Sequence, residues 1–252
     1  MLLIQPICRS LPAFDALAAE ERLGYELLEP FMPPYLNDEE ARAVWAGNFI
    51  SGGYARTVHG AFIDVNPASG DAEFRALSRQ RIFESCTAAD TYGLSHVVLH
   101  GSCFPFLRGG FLDSWADCCA EFYLRLLEKF PGLTLCVENA FDLDPTPLRE
   151  LMRRCASPRV RVCLDLGHVN YSLAPVGQWF DELGDSIAYL HLSDNCGSFD
   201  DHLPLGEGTV DWAACDRLAR YLGDVPMTLE VGDIPGIRAS LRYLSDHALF
   251  TR

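Results

Sequence analysis

The chain has 252 residues, 49% of them hydrophobic and 22% charged, a balance that excludes a disordered chain and supplies ample apolar material for a core. Acidic residues outnumber basic ones by 35 to 20, a formal net charge of −15. Such a surface repels polyphosphate and anionic bilayers, so nucleic acid and membrane are disfavoured as partners, whereas divalent cations suit it.

No run of ~18 apolar residues is present to span a bilayer. The segment from Met1 to Cys8 is short, lacks a basic leader and meets Pro6, so no export signal is expected. The ten cysteines form no C-x-x-C pair, which disfavours a thiolate zinc site. Cys136 and Cys163 fall inside apparent strands and read as small core residues. Reduced thiols are expected, and with them a reducing cytoplasm.

Along the chain, β-like runs alternate with helix-like runs. Leu2–Cys8 is followed by a helical stretch over Phe14–Arg22, Tyr25–Glu29 by Asp38–Trp45, and Thr57–Asp64 by Ala72–Tyr92. Ser95–His100 precedes Leu112–Phe130, Leu133–Glu138 precedes Thr146–Cys155, and Val160–Asp165 precedes Val176–Leu183. Ile187–Ser193 leads to Trp212–Tyr221, and Pro226–Val231 to Ile237–Phe250. Asn37 and Asp211 read as N-caps; Gly24, Gly132 and Gly223 read as helix stops. Eight such units, roughly 31 residues each, predict an α/β fold of the (β/α)₈ TIM-barrel type as a single domain over residues 1–252. An open doubly wound sheet is the alternative, but a Gly-rich phosphate fingerprint after the first strand is missing.

Alternation along the strands separates two faces. Leu133, Leu135 and Val137 oppose Thr134, Cys136 and Glu138; Val160, Val162 and Leu164 oppose Arg161, Cys163 and Asp165. Leu190 and Leu192 oppose Tyr189 and His191, Met227 and Leu229 oppose Thr228 and Glu230, and Val97 and Leu99 oppose Val98 and His100. The aliphatic face should meet the helices and the other face the barrel interior. The inward rows then end in His100, Glu138, Asp165, His191 and Glu230, with His59 on a sixth strand, at the C-terminal mouth where barrels place their chemistry. His168, Asp200 and His202 lie in the loops just beyond. His96 falls one layer lower, and His247 is expected at the surface of the last helix. A single carboxylate or histidine near a strand end is ordinarily a solvated residue. Six strands ending at the same level point to a divalent metal centre of mixed imidazole and carboxylate ligands, suited to zinc or manganese.

The motifs VHGAFIDVNP around His59, VVLHGS around His100, CVENA around Glu138, CLDLGH with Asp165 and His168, LHLSDN around His191, DDHLPLGEG with Asp200 and His202, and TLEVGD around Glu230 resemble, in order, the xylose-isomerase-like barrel superfamily. Its members include sugar isomerases, sugar epimerases and endonuclease IV. The resemblance implies one ion on Glu138, Asp165, His191 and Glu230, with the two glutamates also serving as acid and base and His168 contacting substrate. Endonuclease IV implies three zinc ions on His59, His100, Glu138, Asp165, His168, His191, Asp200, His202 and Glu230. All nine residue types are present, so the number of ions, one to three, stays open.

Two functions follow from the resemblance. The first is a divalent-metal-dependent isomerase or epimerase acting on a small sugar, sugar phosphate or inosose through an enediolate. The second is an endonuclease IV-like zinc phosphodiesterase acting on abasic DNA, which the acidic charge disfavours. A barrel that binds a sugar-like ligand without turnover is a third class, disfavoured by the presence of both glutamates. Arg9 and Arg108 are candidate anchors for a substrate phosphate or carboxylate, and His59 and His100 further candidate substrate contacts. Apolar loops such as Phe31-Met32-Pro33-Pro34-Tyr35 and Phe104-Pro105-Phe106 suit a lid over a small ring, or packing of the barrel top. The expected partner is a small polyhydroxylated substrate, and a homo-oligomer of this chain is compatible with the sequence.

Overall fold

Strands apolar on one face and mixed on the other are stable only if the apolar face is covered by helices and the other is folded inward. The computed structural model, which describes residues 1–251, resolves the chain in that way. In chain order the elements are β1 (Leu2–Ile4), α1 (Leu11–Glu21), β2 (Gly24–Leu27), α2 (Glu39–Ser51), β3 (Ala55–His59), α3 (Ala72–Thr91), β4 (His96–His100) and α4 (Gly110–Lys129). They continue with β5 (Thr134–Glu138), α5 (Thr146–Cys155), β6 (Val160–Asp165), α6 (Leu166–Tyr171), α7 (Val176–Leu183), β7 (Ile187–Leu192), α8 (Trp212–Ala219), β8 (Met227–Leu229) and α9 (Ile234–Asp246). The strands are parallel and close in sequence order, with β8 pairing back onto β1, so the (β/α)₈ barrel is the observed fold.

Two apolar bodies hold it. The outward faces, among them Leu135, Val137, Val162, Leu164, Leu190 and Leu229, join the helices in one continuous core. Leu3, Val98, Cys136, Cys163 and Tyr189 form a separate cluster that plugs the barrel interior, as the strand alternation requires. Beside this plug the Tyr189 hydroxyl is linked to Thr57 Oγ1 at 2.9 Å and to Thr228 Oγ1 at 2.8 Å, which satisfies three buried hydroxyls from β3, β7 and β8. His96 lies at this lower level, its ring 6.3 Å from that of Tyr189. His247 is exposed on the turn after α9. The cysteines are free: Cys118 is half-buried, Cys196 exposed and the rest buried. Among the described residues no helix is long and apolar enough to cross a membrane.

The differences from the expected elements have local causes. The first strand stops at Ile4, and Cys8–Ser10 forms a 3₁₀ turn in place of continued strand. The third starts earlier, at Ala55, and ends at His59, so residues 60–64 belong to the mouth. Asp38 rather than Asn37 caps α2, accepting from Ala41 N, and α2 runs on to Ser51 because Ala46 and Phe49 keep its buried face. Gly24 is not a helix stop. It lies in β2, where a Cβ would come within 2.5 Å of Leu3, and Arg22 at φ +58 ends α1 instead. Phe130 occupies the C-cap of α4, ahead of Gly132. Asp211 caps α8 and Gly223 ends the turn after it, both as expected. Asp233 caps α9, whose early start follows from Pro235 in its first turn.

Removing the Tyr189 hydroxyl should strand the two threonine hydroxyls in a dry interior. Tyr189→Phe is expected to cost about 1–3 kcal/mol, read as a lower denaturant midpoint at an unchanged m-value. An unaltered midpoint would show that the two threonines find other partners.

Candidate metal centre

Every inward row ends at the mouth. Glu138, Asp165 and His191 are the inward residues at the ends of β5, β6 and β7, Glu230 directly follows β8, and Glu26 lies on β2. Glu138 is 1% exposed, Asp165 and His191 0%, Glu230 5% and Glu26 0%. Carboxylates so far from water need compensating charge or donors, because desolvating an ion costs several kcal/mol. Ligand atoms of Glu138, Asp165, His191 and Glu230 lie within 4.8 Å of one another. His191 Nδ1 faces Glu230 Oε2 at 3.4 Å, Glu138 Oε1 at 3.5 Å and Asp165 Oδ2 at 3.9 Å. Asp165 Oδ1 is taken by the His168 backbone N–H at 2.7 Å, whereas Asp165 Oδ2 and His191 Nδ1 are buried without a hydrogen-bond partner. Two orphaned lone-pair atoms converging on two glutamates fit a divalent cation of the zinc or manganese kind.

Around this quartet three imidazoles have Nδ1 committed as a donor. A carbonyl only accepts, so Nδ1 carries the proton in His59, which donates to Gly60 O at 3.0 Å, in His168, which donates to Asn139 O at 2.6 Å, and in His202, which donates to Glu230 O at 2.8 Å. Their Nε2 atoms face carboxylates: His59 approaches Glu138 Oε2 at 3.2 Å, while His168 and His202 approach Asp200 Oδ2 at 3.3 and 3.1 Å. His100 Nε2 stands 3.5 Å from Glu138 Oε2, and His59, His100 and Glu138 form a second compact group. His202 sits at φ +50, a left-handed turn that histidine tolerates. Asn139 fixes the floor of the mouth by pairing both ways with the Asp165 backbone, at 3.0 and 2.8 Å.

Asp200 and His202 are carried by a long loop tied down at Asp194. Its buried carboxylate accepts from Gly206 N, Val210 N and the indole of Trp212. Gly208 is needed there, since a Cβ would lie 2.3 Å from both Asn195 O and Asp194 Oδ1. The Gly206-Glu207-Gly208 stretch is thus the turn that lets the loop close onto Asp194.

Above the quartet opens a cavity of about 280 Å³, lined by Gln5, Leu28, Met32 and Phe62 together with His59, His100, Glu138, His168, Asp200, His202, Glu230 and Gly232. Phe62 packs on His100 with ring centres 4.6 Å apart, so it is a wall of the mouth. The lining contains neither Arg9 nor Arg108; Arg108 is instead paired with Asp144 at 2.9 Å. Phe31 is buried, whereas Phe104 and Phe106 stand out from the surface. Gln5 and Glu26, both at the mouth, are additions that the motif reading does not contain. Glu26 is detectable as a lone charge at inward parity between Tyr25 and Leu27.

The electrostatics follow from the crowding. Burial would raise Glu138, yet the charges of His100 and His191 hold it well below the usual carboxylate range. Glu230 is held at about 2, burial being outweighed by His191. Asp165 is pushed up to about 7 by burial, His168 working downward and the charges of Glu230 and Glu138 upward. His191 is raised well above the ordinary imidazole value, burial being overcome by the anionic groups around it. His100, with burial dominant, falls to about 4.

A closed parallel barrel with a buried carboxylate–imidazole centre at its C-terminal mouth defines the class. Residues 17–247 match the xylose isomerase-like TIM barrel family, and the chain belongs to it. Two uncharacterized proteins of Methanocaldococcus jannaschii are each 26% identical over 62% of this chain. Those matches span only 56% and 62% of the relatives' own lengths. Among solved structures, a D-tagatose 3-epimerase-like protein superposes with a TM-score of 0.80 at 21% identity, over 98% of this chain and 96% of its own. An IolI protein with a zinc atom superposes at 0.75 and 16% identity, over 100% and 99%. Endonuclease IV from Thermus thermophilus does so at 0.67 and 19%, over 97% and 99%. At these identities the likeness establishes the fold.

Because the anionic groups around it raise His191 well above its ordinary value, protons compete with an ion for Nδ1. Zinc binding should therefore release protons, and affinity should climb with pH by on the order of tenfold per unit for each proton displaced. Competition titrations with a chelator between about pH 6 and 8 measure this. A flat profile would mean that His191 does not ligate.

Proposed function

We propose that this protein is a divalent-metal-dependent isomerase or epimerase acting on a small, uncharged polyhydroxylated carbonyl compound. The observation that carries the reading is the pair Glu138 and Glu230. They rise from β5 and from the end of β8, both line the small cavity, and both belong to the quartet with Asp165 and His191. Family membership and the sugar epimerase names among the structural neighbours support it. Among the described residues, no arginine or lysine lines the cavity, which argues for a substrate without a phosphate.

A divalent ion on the quartet would act as a Lewis acid toward the substrate carbonyl. The protein's own part is proton transfer. Glu138 and Glu230 are both ionised at neutral pH, so either carboxylate can take the proton from the carbon next to the carbonyl. Return of the proton to the neighbouring carbon of the enediolate gives an isomer. Delivery to the opposite face of the original carbon, by the other glutamate after it has taken up a proton from solvent, gives an epimer, the first glutamate then releasing the proton it took. His168, its Nδ1 committed to Asn139 O, lines the cavity and reaches a substrate hydroxyl by exchanging the Nε2 contact to Asp200. The apolar wall of Leu28, Met32 and Phe62 keeps bulk water from the reacting carbon.

Asp165→Asn and His191→Ala should each lower the metal content found by elemental analysis; full occupancy in both would remove the assigned ligands. With ketoses and inososes in heavy water, deuterium should enter the carbon beside the carbonyl, and Glu230→Gln should slow this by roughly 10²–10⁴-fold. Undiminished exchange in both Glu230→Gln and Glu138→Gln would end the two-glutamate scheme.

A second reading, a zinc phosphodiesterase for abasic DNA, is favoured by one observation. His59, His100 and Glu138 form a compact group beyond the quartet, and His168 and His202 converge on Asp200. Three zinc ions per chain together with cleavage of an abasic duplex would select it. One ion per chain and no cleavage is the expected result, since the −15 charge opposes a phosphate backbone.

A further inference from the structure

We infer that Gln5 and Glu26 are a positioning pair that prepares His191 and Glu230 for the ion, an inference that rests on the quartet being a metal site. Glu26 is fully buried on β2 and is not among the residues lining the cavity. Both of its oxygens stand 3.3 Å from His191 Nε2. The Gln5 amide, on the strand exit one stave away, donates to Glu26 Oε1 at 2.9 Å and to Glu230 Oε1 at 2.5 Å. One amide group thus bridges the two carboxylates with its two hydrogens.

A carboxylate only accepts, so the shared proton of the His191–Glu26 contact sits on Nε2. In His59, His168 and His202, by contrast, Nδ1 is the nitrogen committed as a donor, to a backbone carbonyl. The consequence at His191 is that Nδ1, which faces Glu138, Asp165 and Glu230 and is found without a hydrogen-bond partner, is the nitrogen left for an ion to take. Gln5 does the complementary task on Glu230. By holding Oε1 it turns Oε2 toward His191 Nδ1, 3.4 Å away.

Glu26 is also an expensive choice as mere filling. A fourth buried carboxylate beside Glu138, Asp165 and Glu230 raises the repulsion in the barrel, and a neutral residue of similar shape would pack there without it. The charge is justified if it raises the basicity of Nδ1 through the imidazole, as outer carboxylates of metal-bound histidines do, with an effect of about 10–100-fold on affinity.

The test is Glu26→Gln, compared with the wild-type protein for zinc affinity by chelator competition, for melting temperature with and without zinc, and for the His191 tautomer by ¹⁵N NMR. The amide can point its NH₂ at Nε2, which moves the imidazole proton to Nδ1 and blocks the ligand atom. Zinc affinity should fall about 10–100-fold. In chelator the variant should melt at or above the wild-type temperature, because a buried charge has gone. Its His191 signals should report Nδ1–H. Gln5→Ala should weaken zinc less and leave the tautomer unchanged. A structural role alone would instead lower the melting temperature in chelator and spare the affinity of the folded fraction. Should Glu26→Gln fail to fold, Glu26→Asp, which keeps the charge but draws it back by one methylene, must show a smaller loss of the same kind. Wild-type affinity in these variants overturns the inference while the metal site stands; failure of the wild-type protein itself to bind zinc removes both.

Discussion

Negative charge without water is the condition that organises this molecule. Glu26, Glu138, Asp165 and Glu230 converge where the barrel is driest, and each must be met by a donor or a cation. The remainder of the mouth supplies them. Gln5 bridges two of the four, Asn139 pins the strand end that presents Asp165, and the His168 backbone takes one Asp165 oxygen. The interior plug of Leu3, Val98, Cys136, Cys163 and Tyr189 closes the barrel from below, so charge can be balanced only from the mouth. Two polar atoms, Asp165 Oδ2 and His191 Nδ1, remain unmet.

The division between scaffold and site is sharp in the strands and blurred in the loops. Strand ends set Glu138, Asp165 and His191 rigidly, since each is flanked by residues locked into the outer core. Asp200 and His202 ride on a loop instead, and their placement depends on Asp194 gathering three donors from the far end of that loop. His202 returns to the strands by its bond to the Glu230 carbonyl. The loop side of the centre is therefore fixed by polar contacts, and the strand side by packing.

Much of this can be read from the chain because one unit repeats. Eight strand–helix alternations specify a parallel sheet, and period-two alternation in LTLCVE, VRVCLD and IAYLHL separates the helix-facing from the interior residues without knowledge of the partners. Glu138, Asp165 and His191 are legible for that reason, and Tyr189, Cys136 and Cys163 as the layer beneath. Glu26 leaves a weaker trace, a lone charge between Tyr25 and Leu27 in YELLE, because the alternation fails after Leu27. Gln5 is hidden by the brevity of its strand, and its role consists of contacts 21 and 225 residues away in sequence. Arg108 suggests an anion anchor by type alone; its commitment to Asp144 is a meeting of two loops that no local pattern announces. Helix ends shift where a cap competes with its neighbour, as Asp38 does with Asn37.

The shortest joint of the barrel lies beside its chemistry. β1 and β2 are in register over two residue pairs, against five between β4 and β5. Across this joint and the adjoining one to β8, side chains do what the main chain does little of: Gln5 reaches from the end of β1 to Glu26 on β2 and to Glu230 after β8. The clasp of the ring and the shape of its mouth are thus the same few atoms. A fluctuation that parted the staves at this point would also break the contacts that hold Glu26 and Glu230 in place, so that opening of the barrel and loosening of the carboxylate cluster would be a single event.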